Sequence, residues 1–227
     1  MKRIFLLTAV AVCATIGVMA QQADSISIYQ NIQQVEVTAI RAKGDTPIAH
    51  TNLSRSEIEE RNYGEDIPSL LATMPSVVIS SESGMGLGST SFRVRGTDPS
   101  RINVTLNGVP MNDAETHSVY WYDTPDLASS LGSVQLQRGV GTSTAGTGAF
   151  GASLNMTSAP LASKFSGRAS LSYGSFNTAK QEVALSSGLL GGHWAIEGRL
   201  SHLSSDGYVE RASMIMNTMQ SGVLLTG

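Results

Sequence analysis

The stretch Phe165-Ser166-Gly167-Arg168-Ala169-Ser170-Leu171-Ser172-Tyr173 alternates without a break. Phe165, Gly167, Ala169, Leu171 and Tyr173 fall on one side of an extended chain, and Ser166, Arg168, Ser170 and Ser172 on the other. The logic repeats downstream. Ala179, Gln181, Val183 and Leu185 oppose Lys180, Glu182, Ala184 and Ser186; then Trp194, Ile196, Gly198 and Leu200 oppose Ala195, Glu197, Arg199 and Ser201. Segments near ten residues, with a small-to-apolar row, a polar row and an aromatic near an end, fit strands tilted through a bilayer. A soluble antiparallel sandwich has the same period. Ser213 to Gly227 is methionine-rich and alternates poorly, either a fourth strand begun and spoiled or a segment cut off from its partners.

Composition and the amino terminus favour the membrane. Of 227 residues only 15% are charged, the formal net charge is -3, and there are 23 glycines and one cysteine. This excludes a strongly basic nucleic-acid binder, a cysteine-stapled miniprotein and a highly charged disordered chain. Lys2 and Arg3 precede an apolar run to Met19, with small or modest residues before Gln21, which reads as a secretory signal over 1–20. The cysteine, Cys13, lies within it, so the exported chain holds no thiol.

Between signal and strands the texture is mixed α/β. Ser54 with Glu57, or Ser56 with Glu59, forms a capping box opening a helix that ends near Asn62. Asp66 caps a second helix in which Ile67, Leu70, Leu71 and Met74 share a face before Pro75. Val77 to Ile79 is a strand, and Glu82 to Thr90 a glycine-rich loop without packed core. In Ser91 to Arg95, Phe92 and Val94 oppose Arg93 and Arg95. Ile102, Val104 and Leu106 alternate into Asn107-Gly108, a hairpin signal, with Val109 and Met111 on the returning arm. Ser133 to Arg138 is a further strand, followed by a glycine-threonine loop. No HExxH, GxSxG or GxxxxGK[ST] is present, so no enzyme is expected.

Four motifs in order, Phe92-Arg93-Val94-Arg95-Gly96, Leu106-Asn107-Gly108-Val109-Pro110, Val134-Gln135-Leu136-Gln137-Arg138-Gly139 and Phe150-Gly151-Ala152-Ser153-Leu154-Asn155, resemble the amino-terminal part of a TonB-dependent outer-membrane receptor. The resemblance covers roughly Val35 to Tyr208. It departs from the family pattern where Gln135 replaces an acidic residue and Ser153 a glycine. The implied fold is an α/β plug domain followed by the first antiparallel strands of a transmembrane β-barrel of about 22 strands. The divisions expected are a signal over 1–20, a flexible periplasmic leash over 21–51, a plug over 52–160 and three to four barrel strands over 164–227, a fragment of a longer machine.

The resemblance further implies energy-dependent uptake of a scarce bulky nutrient: a siderophore, haem, cobalamin or oligosaccharide. It implies an inner-membrane coupling protein of TonB type that engages a short box, matched by Val35, Glu36, Val37, Thr38 and Ala39. Those residues suit strand addition, and equally the first strand of the next domain. Substrate contact is expected from Met85 and from Asn112, Asp113, Glu115, His117, Tyr120, Trp121 and Tyr122, the aromatics serving either as ligand contacts or as packing. Arg93, Arg95 and Arg138 are expected to anchor the plug through Asp126, Glu82 or acidic rows inside the barrel. Lipid is the expected surround; nucleic acid, cofactor and resident metal are not expected. The alternative is a secreted or surface soluble β-rich binding or adhesion module.

Overall fold

A computed structural model describes residues 41–42, 46–140, 148–191 and 193–225. The first strand, β1 (His50–Ser54), runs into helix α1 (Arg55–Arg61) through Ser54. The Glu57 carboxylate accepts from the Ser54 backbone N–H at 2.8 Å, and Ser54 Oγ accepts from the Glu57 N–H, completing the reciprocal cap expected there. The second helix is much shorter than its apolar spacing predicts. Helix α2 is Ile67–Leu70, one turn, and Asp66 makes no side-chain cap bond. The Leu71 N–H is shared between the carbonyls of Ile67 and Pro68, and turns then carry Leu71 and Met74 into the same core.

Two strands, β2 (Val77–Ser81) and β3 (Thr90–Val94), form a small antiparallel ribbon. Phe92 and Val94 are buried and Arg93 is exposed, but Arg95 lies past the strand with a positive φ of 53°. The loop between β2 and β3 is better packed than its glycines predict. Leu87 is buried, Ser83 Oγ donates to the Leu87 carbonyl, and Gly86 sits where a Cβ would collide with Ser69 Oγ.

The main sheet contains β1, β4 (Ile102–Leu106), β5 (Val109–Pro110), β6 (Leu131–Arg138) and β7 (Ala152–Ser158), in the order β1-β6-β7-β4-β5. Among the described residues only β4 and β7 pair in parallel. Asn107 and Gly108 both have positive φ, as the two-residue turn joining β4 to β5 requires. One sheet face packs Ile102, Val104, Val134, Leu136, Leu154 and Met156 against Ile58, Ile67, Leu70, Phe92 and Trp121. The glycine-threonine loop falls mostly outside the described residues, as do the signal and the box segment 35–39.

The remaining strands, β8 (Ser166–Tyr173), β9 (Ala179–Ser186), β10 (Trp194–Ser205) and β11 (Met214–Leu225), form an antiparallel meander. The methionine-rich segment is therefore a full fourth strand, paired along all of β10. Asn217 and Ser221 interrupt its outward row of Ile215, Met219 and Val223, which is why its periodicity reads poorly. The outward rows of the sheet are apolar and bare: Leu171 is 83% exposed, Tyr173 77% and Met219 80%. The inward rows of β9 and β10 are mostly polar yet buried, with Lys180, Glu182, Ser186, Arg199, Ser201 and Ser205 shielded from solvent. This inversion, oil outside and charge inside, is the arrangement of a strand that faces lipid. The sheet is open, with β8 and β11 at its edges.

Candidate functional site

Where the α/β domain meets the strands, one acidic residue organises the seam. Asp126 precedes a 3-10 turn, Leu127–Ser130, and adopts the left-handed conformation (φ 54°); its carboxylate caps no backbone N–H of that turn but accepts from Ser129 Oγ at 2.6 Å. Period-two strands place Lys180 of β9 and Arg199 of β10 on the inward row. Lys180 Nζ lies 2.6 Å from Asp126 Oδ1, and Arg199 Nη1 lies 2.6 Å from Oδ2. All three side chains are at least nine-tenths buried. Glu182 approaches Lys180 at 3.4 Å and accepts from Ser129 Oγ at 3.2 Å. Arg199 also donates to Ser130 Oγ and, at 3.1 Å, to Gln220 Oε1 of β11, while Ser130 and Gln220 bond each other.

The seam therefore balances two cations against two carboxylates. Burial on its own raises the Asp126 pKa, but the Lys180 ammonium, together with bonds from Lys180, Ser129 and Ser201, outweighs it and holds the carboxyl below its ordinary range. A second pair, Arg168 of β8 with Glu59 of α1 at 2.7 Å, is half exposed and contributes little.

The expected arginine anchors are placed otherwise. Arg93 pairs with Asp98 at 3.5 Å, and Arg138 donates to Thr51 Oγ1 at 2.7 Å and to the His50 carbonyl, all within the α/β domain. Arg95 ends β3 in its left-handed turn. The strands bring their own cations to the seam, so the complementary charge on the α/β side is an acid. Sequence reading named Asp126 as a partner but missed Lys180 and Arg199. Their membership of the polar row was the available signal.

The loop from Asn112 to Tyr122 divides by role. Asn112 Oδ1 accepts from the Val104 N–H at 2.8 Å, and Nδ2 donates to the carbonyls of Ile102 and His117, so this side chain extends the edge of β4. Asp113 accepts from the backbone N–H and hydroxyl of Thr116, which hold its pKa below the usual value. Trp121, open to reading as a ligand contact or as packing, packs: it is 3% exposed and tilted against Phe92 in the core. An indole removed from water in this way stabilises the fold and offers no ligand face. Glu115 and His117 are exposed, and the rings of Tyr120 and Tyr122 lie 5.6 Å apart, tilted by 43° and partly open to solvent.

Met85 lies elsewhere, with its sulfur 3.2 Å from Ser205 Oγ of β10. It lines a cavity of about 550 Å³ with Tyr63, Glu65, Leu87 and Phe176. Asn112 and His117 line a separate one of about 720 Å³ with Arg101 and Phe150. The two candidate loops thus do not converge on one cavity among the described residues.

Comparison with known proteins agrees with this geometry. Residues 42–153 match the family model of the TonB-dependent Receptor Plug Domain. Among solved structures, the chain is similar to FpvA of P. aeruginosa bound to heterologous pyoverdines, at 16% identity and a TM-score of 0.67, covering 79% of this chain and 23% of that one. It is similar to the alcaligin outer-membrane receptor FauA from Bordetella pertussis, at 18% identity and a TM-score of 0.62, covering 79% and 29%. It is also similar to the copper transporter OprC, at 18% identity and a TM-score of 0.58, covering 77% and 28%. The chain spans about a quarter of the length of these structures. No curated protein matches. With a family match over residues 42–153 and strands after it that continue the fold of the solved receptors, the chain carries a TonB-dependent receptor plug domain.

Proposed function

We propose that the chain serves an outer-membrane receptor importing a scarce, bulky nutrient, with β8–β11 as opening strands of the barrel and residues 42–153 as the plug held inside it. The observation that carries this reading is the buried Asp126–Lys180–Arg199 seam beneath a strand sheet whose outward rows are bare and apolar. A soluble module would hide such rows; a lipid-facing wall needs them. The solved relatives include a pyoverdine-bound protein, an alcaligin receptor and a copper transporter, so the cargo here is left as a class: siderophore, haem, cobalamin or oligosaccharide. Exposed Tyr120 and Tyr122, with Glu115 and His117, support a substrate-facing role for that part of the loop. The leash and plug face the periplasm, and the box at 35–39 adds as a strand to a TonB-type coupling protein.

Fractionation tests the reading. The native protein should sediment with outer membrane and resist extraction by carbonate. Recovery in the periplasm or medium would instead support the secreted binding module. The box is tested separately by calorimetry of a peptide spanning Asn31 to Ile40 with the coupling domain. Binding no stronger than that of a scrambled peptide would remove it.

A further inference from the structure

The face of the main sheet turned away from the hydrophobic core is also buried, and it is polar. Register places Gln135 of β6 beside Asn155 of β7, which lies beside Thr105 of β4; one step along, Gln137 lies beside Ser153 and Ser153 beside Asn103. All six side chains are nearly inaccessible. Thr105 Oγ1 donates to Asn155 Oδ1 at 2.9 Å.

Ala42, itself buried, is fixed to this layer by one side chain. Gln135 Oε1 accepts from the Ala42 N–H at 2.8 Å, and Gln135 Nε2 donates to the Ala42 carbonyl at 2.9 Å. The second lone pair of Oε1 takes Gln137 Nε2 at 2.9 Å, and the second Nε2 proton goes to Asn52 Oδ1 at 2.8 Å. The carboxamide thus uses its whole hydrogen-bonding capacity, and toward Ala42 it presents the donor and acceptor that a neighbouring strand would. The Arg41 guanidinium reaches the carbonyls of Ser133 and Asn155, adding to the same attachment. A carboxylate at 135 has no donor and would turn negative charge on two oxygens, the Ala42 carbonyl and Asn52 Oδ1. Here the departure of Gln135 from the acidic family pattern acquires a physical role.

We propose that Gln135 is a catch fastening the segment around Ala42 to the polar face of the plug sheet. Among the described residues this attachment precedes β1, so tension applied from the amino-terminal side meets it before it reaches any strand. Its use under tension rests on the energy-coupling reading; the fastening itself does not.

The test is hydrogen exchange on the full chain in detergent micelles, following the Ala42 amide with Leu136 and Leu154 as internal references. In Gln135→Glu the Ala42 amide should exchange about tenfold faster or more, the factor carried by roughly one lost hydrogen bond, with both references unchanged. Trypsin should cut after Arg41 correspondingly faster. Gln135→Met, neutral and of similar size, should release Ala42 as well, and decides the matter if the charged variant fails to fold. Unchanged Ala42 exchange in folded Gln135→Met would overturn the catch while leaving the box standing. A peptide that fails to bind the coupling domain would remove the box and leave the catch.

Discussion

Replacing Asp126 by Ala removes the one anion that two buried cations share. At 2.6 Å and an effective dielectric near 20, each contact carries a gross attraction of about 6 kcal/mol, much of it offset by desolvation. What remains after the substitution is unequal. Lys180 keeps Glu182 at 3.4 Å, whereas Arg199 is left with neutral partners, Ser130, Gln220 and the backbone carbonyl of residue 126. Removing one member of a buried ion pair costs about 3–5 kcal/mol, so the plug should lose roughly that much if it unfolds together with the seam. Trp121 reports on the plug core, and a Trp194→Phe background silences the other tryptophan. With a urea slope of about 2 kcal/mol/M, the midpoint should fall by roughly 2 M. A cycle with Arg199→Met should give a coupling near 2 kcal/mol, because the second change removes the charge that the first left bare. A loss under about 1 kcal/mol, the figure for an exposed pair, together with no coupling, would refute the seam as the plug's attachment.

Other outcomes follow from the same structure. Asp66 is buried, which pushes its pKa up to about 6 despite bonds from Thr90 and Gly88. The folded chain therefore holds a proton there that the unfolded chain has released. Stability should fall as pH rises from about 4 through 6, and Asp66→Asn should flatten that dependence in urea midpoints. Asp126 acts in the opposite sense: its lowered pKa means that the seam holds above about pH 4 and weakens only below it, as plug unfolding against pH would show. Gly86→Ala combines a positive φ of 73° with a clash on Ser69 and should cost about 1–3 kcal/mol in thermal or urea unfolding. Trp121→Ala should cost about 3–5 kcal/mol, whereas Tyr122→Ala should cost under about 1 kcal/mol and act on ligand affinity instead.

Local signals in the sequence carried much of this fold. The Ser54–Glu57 cap, the Asn107-Gly108 turn and the alternating rows of β8–β10 each depend on residues within a few positions of one another. Their geometry is set by backbone preference and period, and both are visible in one dimension. Helix α2 was overread because the positions that would extend its apolar face are also satisfied by a single turn and a bend toward the same core. The seam and the catch were hidden for a different reason. Asp126 meets residues 54 and 73 positions away, and Gln135 meets Ala42 across 93, so their partners are chosen by tertiary register alone. Trp121 shows the same limit: an aromatic among polar loop residues reads equally as ligand contact or packing until Phe92 is found against it.

The central claim, that β8–β11 face lipid outward while gripping the plug inward, is tested most directly by fluorescence quenching in brominated detergent micelles. Two single-tryptophan chains are needed, Trp121→Phe and Trp194→Phe. Trp194, half exposed on the outward row of β10, should be quenched strongly, and Trp121, enclosed by the plug core, should be spared. Equal and weak quenching of both would contradict the account, because the outward rows would then face water rather than lipid.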